Sequence, residues 1–175
     1  MSSHRKTEAR SNRRLEINIS KKIVNSIAAG LTIGITILIL QFVHFDLAYG
    51  SGSSAIIYSS VGASAFILMV MPKSRAASNS AVIVSYIIAG IVGYLSYQAL
   101  PYFGVAVASA IAVSLTGALM VFFRKEHPPA AGLALAFVLF RINLYGILLV
   151  IGIGFLIVAI SHILGIFIKD VEKEI

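Results

Sequence analysis

Long apolar stretches separated by short polar connections make up the chain from residue 23 onward. Five of these stretches hold about 20 residues, which is the length of helix that crosses the ~30 Å hydrocarbon core of a membrane. They are residues 23–43, 53–71, 81–100, 104–123 and 146–167. A sixth stretch, residues 128–140, covers only about 20 Å as a helix. The pattern predicts an all-α, polytopic transmembrane helical bundle with five full spans plus one short or broken span.

Composition agrees with a membrane protein and suggests the domain limits. Of the 175 residues, 58% are hydrophobic and 12% are charged, whereas about a quarter of the residues in soluble domains are charged. We therefore expect an integral, multi-pass membrane protein that forms one domain in contact with the lipid bilayer. Its parts are a basic, largely disordered cytoplasmic tail over residues 1–22, a transmembrane domain over 23–168 and a short charged C-terminal tail over 169–175.

The positive charges predict the orientation, because the cytoplasmic connections of membrane proteins are rich in Lys and Arg. If the N-terminus is cytoplasmic and every stretch crosses, all 14 Lys and Arg except Arg141 face the cytoplasm. If the short stretch is re-entrant, Arg141 returns inside but Lys169 and Lys173 move outside, so six crossings are narrowly favoured over five. We expect a cytoplasmic N-terminus and a location in the cell inner membrane. We expect no binding of nucleic acid, since membrane orientation accounts for the net charge of +7.

The order of long span, interrupted span and long span occurs twice, over residues 23–100 and 104–167. The interrupted span of the first half contains the small residues 59–65, and that of the second half begins at Pro128 and Pro129. Three crossings per half give a possible 3+3 inverted repeat, and paired interrupted helices in inverted halves are typical of a transport site at their interface. The alternative is that the small residues only let helices pack closely.

His127 stands at the predicted start of the short helix, directly before Pro128 and Pro129. Consecutive prolines fit the first turn of a helix, where an N–H group has no partner within the helix. Free amides and the helix dipole at such a start favour an anion, and a histidine can change its charge near neutral pH. We therefore expect an anion site here, with an interfacial helix cap as the alternative role of His127.

The stretch 126–132, Glu-His-Pro-Pro-Ala-Ala-Gly, resembles the signature of the HPP family of integral membrane proteins. The stretch 61–66, Val-Gly-Ala-Ser-Ala-Phe, followed by Pro72 and Ser74, is similar to a second motif of that family. Family members often carry a Pro-Arg-Asn and then a Gly-Gly-His; here Asn79 matches the asparagine, and no histidine follows in the next span. Members of the family have been associated with nitrite movement across membranes. The resemblance therefore implies a transporter or channel for a small anion, with nitrite as the leading substrate.

The predicted spans contain little that could support catalysis or metal binding. None of the five long stretches holds an Asp, Glu, Lys or Arg, the residues that usually mark proton relays and cation sites in membranes. Cysteine is absent and the four histidines are scattered, so we expect neither a metal site nor a cofactor. No span combines an Asp pair or a Ser–His arrangement, so we do not expect an enzyme.

These features predict an integral membrane transporter or channel for a small inorganic anion, first of all nitrite, with a pathway between two opposed broken-helix N-termini. The expected substrate-binding residues are His127, Pro128, Pro129, Ala131, Gly132, Ser60, Gly62, Ser64 and Asn79. Six short crossings are small for a sealed pathway, so we also expect a homo-oligomer, with the pore either within or between chains. The alternative is a non-transporting scaffold or sensor module in the membrane.

Overall fold

The computed structural model of the chain describes residues 2–42 and 45–174, with side chains described for 19–42 and 54–168. All regular structure in this part is helical, which confirms the predicted all-α class. The helices are α1 (Ser2–Phe42), α2 (Phe45–Val70), α3 (Asn79–Phe122), α4 (Pro129–Leu139) and α5 (Tyr145–Glu174), with a one-turn 3-10 helix, Arg75–Ala77, between α2 and α3. Three described segments are long and apolar enough to cross a membrane: Ile19–Phe42, Asn79–Phe122 and Tyr145–Ile168.

α3 is a helical hairpin whose two halves run in opposite directions. It holds 44 residues, and a straight helix of that length measures about 66 Å. Its two ends nevertheless lie close together. Lys125 follows the end of the helix, and its Nζ donates to the Oγ of Ser80, near the start, at 2.7 Å. The chain therefore reverses within α3, and each half is about as long as the ~30 Å hydrocarbon core is thick.

The reversal occurs at Gly104, whose φ is 72° and whose ψ is 168°. This backbone conformation is essentially restricted to glycine, because a side chain would clash with the neighbouring peptide groups. Pro101, one turn earlier, removes a backbone donor from the helix and favours a bend at the same place. The two spans predicted over residues 81–100 and 104–123 are thus the two halves of one bent element.

α2 runs without interruption from Phe45 to Val70, so the predicted break at residues 59–65 is wrong. The hydroxyl of Ser59 donates to the carbonyl of Ala55 at 2.8 Å, and the Oγ of Ser64 lies 3.0 Å from the carbonyl oxygen of Ser60, distances that fit a continuous helix. The small residues of this segment let neighbouring helices approach α2. The expected pathway needed two opposed helix starts inside the membrane. Among the described residues the start of α4 is present, and the one expected within α2 is not.

The terminal helices extend beyond the apolar spans. α1 begins at Ser2, so residues 2–22 continue the helix of the first span. Extension of an existing helix adds one hydrogen bond per residue without a new nucleation step. The helix of the apolar part of α1 can therefore propagate into the polar part. α5 likewise continues to Glu174.

α4 lies inside the bundle, packed against α2 and α3. Six of its 11 residues are buried: Ala130, Leu133, Ala134, Ala136, Phe137 and Val138. The two helices approach each other closely at Gly93 of α3, where an added Cβ would come within 2.9 Å of the backbone of Ala134. Large exposed apolar side chains are numerous on α1, α3 and α5, as expected for helices that face lipid. A helix enclosed in this way can be shorter than the membrane is thick.

Candidate functional site

His127 lies in the connection between α3 and α4, and its side chain has no exposed surface (0%). Its Nδ1 is 2.8 Å from the carbonyl oxygen of Ala76. Because a carbonyl oxygen only accepts hydrogen bonds, Nδ1 carries a proton and donates it. Nε2 of the neutral ring is then an acceptor, and it lies 2.7 Å from the Oγ of Ser64. The ring is therefore fixed between α2 and the 3-10 helix, with both nitrogens paired.

Ser64 joins His127 to Tyr86, and we call these three side chains with the Ala76 carbonyl the His127 network. The Oγ of Ser64 is 2.9 Å from the phenol oxygen of Tyr86, and both side chains are fully buried (0%). With a neutral ring, Ser64 donates to Nε2 of His127, and Tyr86 donates to Ser64. The network thus links α2, the first half of α3 and the start of α4 through hydrogen bonds inside an apolar core.

Burial lowers the pKa of His127 below its usual value, because a charged imidazole loses its hydration inside the protein. The hydrogen bond to the Ala76 carbonyl acts in the opposite direction and is the smaller influence on the pKa. The neutral ring is therefore the resting form near neutral pH. This agrees with the hydrogen-bond pattern in which Nε2 accepts from Ser64.

The start of α4 has the predicted prolines but few free amides. Pro128 is the N-cap residue and Pro129 the first helical residue, and neither has an N–H group. The next two amides, of Ala130 and Ala131, donate to the carbonyls of His127 and Pro128 at 3.0 Å and 3.1 Å. The expectation of several free N–H groups at this helix start is therefore not met, and an anion would have to be bound by side chains.

The other predicted site residues do not all face the His127 network. Ser60 faces α4, since an added Cβ at Gly132 would come within 2.7 Å of its Oγ. Gly62 faces α1, since an added Cβ there would lie 3.8 Å from the Cγ1 of Ile33. Asn79, the first residue of α3, is exposed. The structure thus brings Ser60, Ser64 and Gly132 to the His127 side of α2 and leaves Gly62 and Asn79 away from it.

Sequence reasoning missed several residues at this end of the bundle. Tyr86 and Ala76 contact Ser64 and His127 across 22 and 51 residues of chain, which no local pattern reveals. The hydrogen bond from Lys125 to Ser80 was also not predicted. The Oε2 of Glu126 is buried without a hydrogen-bond partner, directly before His127 in the chain. A tyrosine in the middle of an apolar span is a signal that could have pointed to Tyr86, because a buried phenol hydroxyl usually finds a partner.

Ser64 and His127 form a Ser–His pair. The two residues come from different segments, so the sequence of a single span does not predict the pair. The 2.7 Å contact between Ser64 and His127 has the geometry of a hydroxyl and a general base. The third partner is a backbone carbonyl instead of a carboxylate. Among the described residues, no group of three His, Cys, Asp or Glu side chains could hold a metal ion.

These helices and their buried polar network define an all-helical, integral membrane protein. The chain belongs to the HPP transmembrane-region family, whose sequence profile matches residues 15–174. It is also similar to a transmembrane protein of Dictyostelium discoideum, with 36% identity over 101 residues, which are 57% of this chain and 35% of that protein. The chain therefore spans well under half of that relative's length. No solved structure matches the chain.

Proposed function

We propose that this protein moves a small inorganic anion across the membrane, with nitrite as the first candidate, and that the His127 network is a proton-linked gate. Membership of the HPP family supports a transport-like role in the membrane. The observation that carries the proposal is the burial of a titratable ring, with no exposed surface, among partners that can satisfy both of its protonation states. A histidine that served only as a cap at the membrane surface would need neither property.

Protonation of His127 is accommodated by the rotation of one hydroxyl group. The protonated ring donates from both nitrogens, so Nδ1 keeps its bond to Ala76 and Nε2 donates to Ser64. The Ser64 hydroxyl then turns its proton to the carbonyl of Ser60, 3.0 Å away. Tyr86 continues to donate to Ser64. The network therefore has two complete hydrogen-bond patterns that differ by one proton.

The protonated pattern favours an anion. A buried positive charge without a partner costs several kcal/mol, and an anion beside the ring would offset that cost. By linkage, a proton on His127 and an anion near it each increase the affinity for the other. Anion and proton would then enter together, beside a helix α2 that holds no Asp, Glu, Lys or Arg over residues 53–70.

We interpret the Ser–His pair as part of this gate and not as a nucleophile with its base. In a nucleophile–base pair a carboxylate usually orients the histidine, whereas here Nδ1 of His127 donates to the backbone carbonyl of Ala76. The hydroxyl of Ser64 is also occupied by Tyr86 at 2.9 Å. A proton switch needs neither a carboxylate partner nor a free hydroxyl, because a proton moves along the hydrogen bonds themselves.

The test is nitrite uptake into proteoliposomes, beside nitrate and chloride, between about pH 5.5 and about pH 8, on both sides of the usual histidine pKa of about 6.5. We expect nitrite uptake to rise on acidification. His127→Gln, which keeps a polar side chain but does not titrate, should lower uptake at acidic pH by about tenfold, within the usual range of coupling between two sites.

The matched control is His162→Gln, which removes an exposed histidine of α5 and should leave both the rate and its pH dependence unchanged. Absence of uptake for all three anions at every pH, in protein that is folded, would overturn the proposal. Uptake that depends equally on His127 and His162 would contradict the assigned gate.

A non-transporting scaffold or sensor module is the second candidate. It is favoured by the close packing around the network, where Gly132 and Ser60 leave no room for an added Cβ. In that case His127→Gln lowers the stability of the protein, and no anion crosses in the presence of the wild-type chain.

A further inference from the structure

A cavity of about 810 Å³ lies between the ends of α1, α2 and α5, on residues that the His127 network does not use. Its volume is within the range of about 300–1,000 Å³ that is usual for ligand sites. The polar side chains that line it are Lys21, Lys22, Asn25, Lys73, Ser74 and Ser161. Among the described residues that line it, none is acidic.

Two hydroxyls in this lining have no partner. The Oγ of Ser161, in α5, is buried without a hydrogen bond, and the residue is 8% exposed. The Oγ of Ser74, at the N-cap of the 3-10 helix, is also buried and makes no capping bond. Serine hydroxyls in helices commonly bond to the preceding turn, and a buried polar group left unpaired costs free energy. Both hydroxyls would therefore gain a hydrogen bond from a ligand that reaches them in the cavity.

The charge of the lining selects the ligand. Lys22 comes from α1 and Lys73 from the connection after α2, so two ammonium groups approach the cavity from different elements. Ammonium groups and serine hydroxyls both donate hydrogen bonds, and together they suit an oxyanion with several acceptor atoms. The cavity is larger than one inorganic ion needs, and Leu68, Met69 and Ile168 form an apolar part of its wall.

We propose that this cavity binds a phosphate group, and that the phosphate belongs to the headgroup of an anionic glycerophospholipid. Basic pockets between transmembrane helices at the cytoplasmic side are suited to such headgroups. The apolar wall would contact the start of the acyl chains, while Lys22, Lys73, Ser74 and Ser161 bind the phosphate oxygens. The bound lipid would join α1, α2 and α5 at their shared end.

The test is a binding titration of the full chain in a neutral detergent with three probes. These are short-chain phosphatidylglycerol, phosphatidylcholine of the same chain length, and inorganic phosphate. We expect phosphatidylglycerol to bind about tenfold more tightly than phosphatidylcholine, because both carry a phosphate but only phosphatidylcholine brings a choline cation, which Lys22 and Lys73 repel. Competition by inorganic phosphate at the same concentration would identify a free phosphate as the ligand of the same site.

Matched variants separate the cavity from general charge effects. Lys22→Gln with Lys73→Gln, and separately Ser161→Ala, should each weaken phosphatidylglycerol binding by about tenfold. Arg75→Gln removes an exposed charge beside the cavity, and Ser109→Ala removes an unpartnered hydroxyl elsewhere; neither should change binding. Lys22→Arg with Lys73→Arg keeps the charges and should retain binding, which guards against a loss caused by misfolding.

Equal binding of the two lipids would overturn the proposal, as would equal weakening by the cavity variants and their controls. Binding in this assay does not require transport. The outcome of the lipid-binding titration is therefore independent of the outcome of the nitrite-uptake test.

Discussion

Ser64 is the residue on which the buried network depends, because one hydroxyl contacts both the ring of His127 and the phenol of Tyr86. A methyl group in its place leaves two buried polar atoms without their partner. Such atoms cannot turn to water, since neither side chain has exposed surface. The energetic cost of the change thus falls on the neighbours of Ser64 as well as on the serine.

Ser64→Ala should lower the free energy of unfolding by about 1–3 kcal/mol for each buried group left unpaired. Ser59→Ala, five positions earlier in α2, is the control: its side chain is exposed, so the change should stay within about 0.5 kcal/mol. Unfolding by titration with a denaturing detergent measures both. Equal effects of the two substitutions would show that the network contributes nothing beyond helix propensity.

Acidification should destabilise the protein in the absence of a bound anion. The pKa of His127 is lower in the folded protein than in the unfolded chain, because burial disfavours the charged ring. The unfolded chain therefore binds more protons in acid, so stability is complete above about pH 6.5 and falls as the pH drops towards the folded-state pKa. Thermal unfolding midpoints across this range, for wild type and His127→Gln, check the effect.

The glutamine variant should have an almost flat profile over the same range, because it removes the group responsible. His162→Gln is the control and should keep the slope of the wild type. A slope that survives in His127→Gln would place the titrating group elsewhere in the chain.

His127 could be predicted as a site residue because the His-Pro-Pro triplet fixes a helix start next to a titratable ring. Ser64 was also among the expected site residues, but its direct hydrogen bond to the ring could not be predicted. Ser64 lies 63 residues away in sequence, and its position opposite the ring is set by the packing of α2 against α4. Gly62, two residues earlier in the same small-residue segment, points to α1 instead, and a motif read as one unit cannot distinguish these faces.

At the scale of elements, glycines decide how closely the helices approach. Gly93 of α3 faces the backbone of Ala134 in α4, where an added Cβ would be 2.9 Å from both Cα and O. Backbone atoms cannot rotate away as a side chain can. The position of α4 inside the bundle, and with it the position of His127, therefore depends on a missing methyl group in α3.

Gly93→Ala should destabilise the protein by about 1–3 kcal/mol, the usual cost of an overpacked core, and should displace α4. Gly117→Ala, in the second half of the same helix, has nothing within 4 Å of the added Cβ. It should be neutral or stabilising by up to about 1 kcal/mol, because alanine favours helix over glycine. A Gly93→Ala protein as stable as the Gly117→Ala protein would show that α4 can shift without cost.

The sequence predicted where the helices lie better than it predicted whether each helix is continuous. The start of α4 and the apolar cores of all five helices follow from proline placement and hydropathy. The unbroken course of α2 does not follow, since Gly, Ala and Ser in a row are equally suited to a break and to a tightly packed helix. Tertiary packing decides between these outcomes, and here α2 is continuous from Phe45 to Val70.

For the whole molecule, the hairpin in α3 sets which ends of the helices share a side of the membrane. Asn79 and Lys125 lie at the open end of the hairpin, and Tyr102 lies at its bend. Each half is about 30 Å long. The open end and the bend should therefore face opposite sides of the bilayer, with the open end on the side that the positive charges predict to be cytoplasmic.

Single-cysteine labelling can test this arrangement directly, because the natural chain has no cysteine. In sealed inverted and right-side-out vesicles, Asn79→Cys and Tyr102→Cys should react with a membrane-impermeant maleimide from opposite sides. Both positions are exposed, so reactivity itself is expected for each. Labelling of both from one side would rule out a hairpin that crosses the membrane.

The bend at Gly104 also bears on how the chain enters the membrane during synthesis. The turn at residues 101–104 contains no charged residue, so its transfer through the bilayer carries no charge-desolvation cost. Because the two halves are joined by so short a turn, we expect them to enter the membrane as a pair. We expect a side chain at Gly104 to slow this joint insertion, since the chain would first have to find another way to reverse.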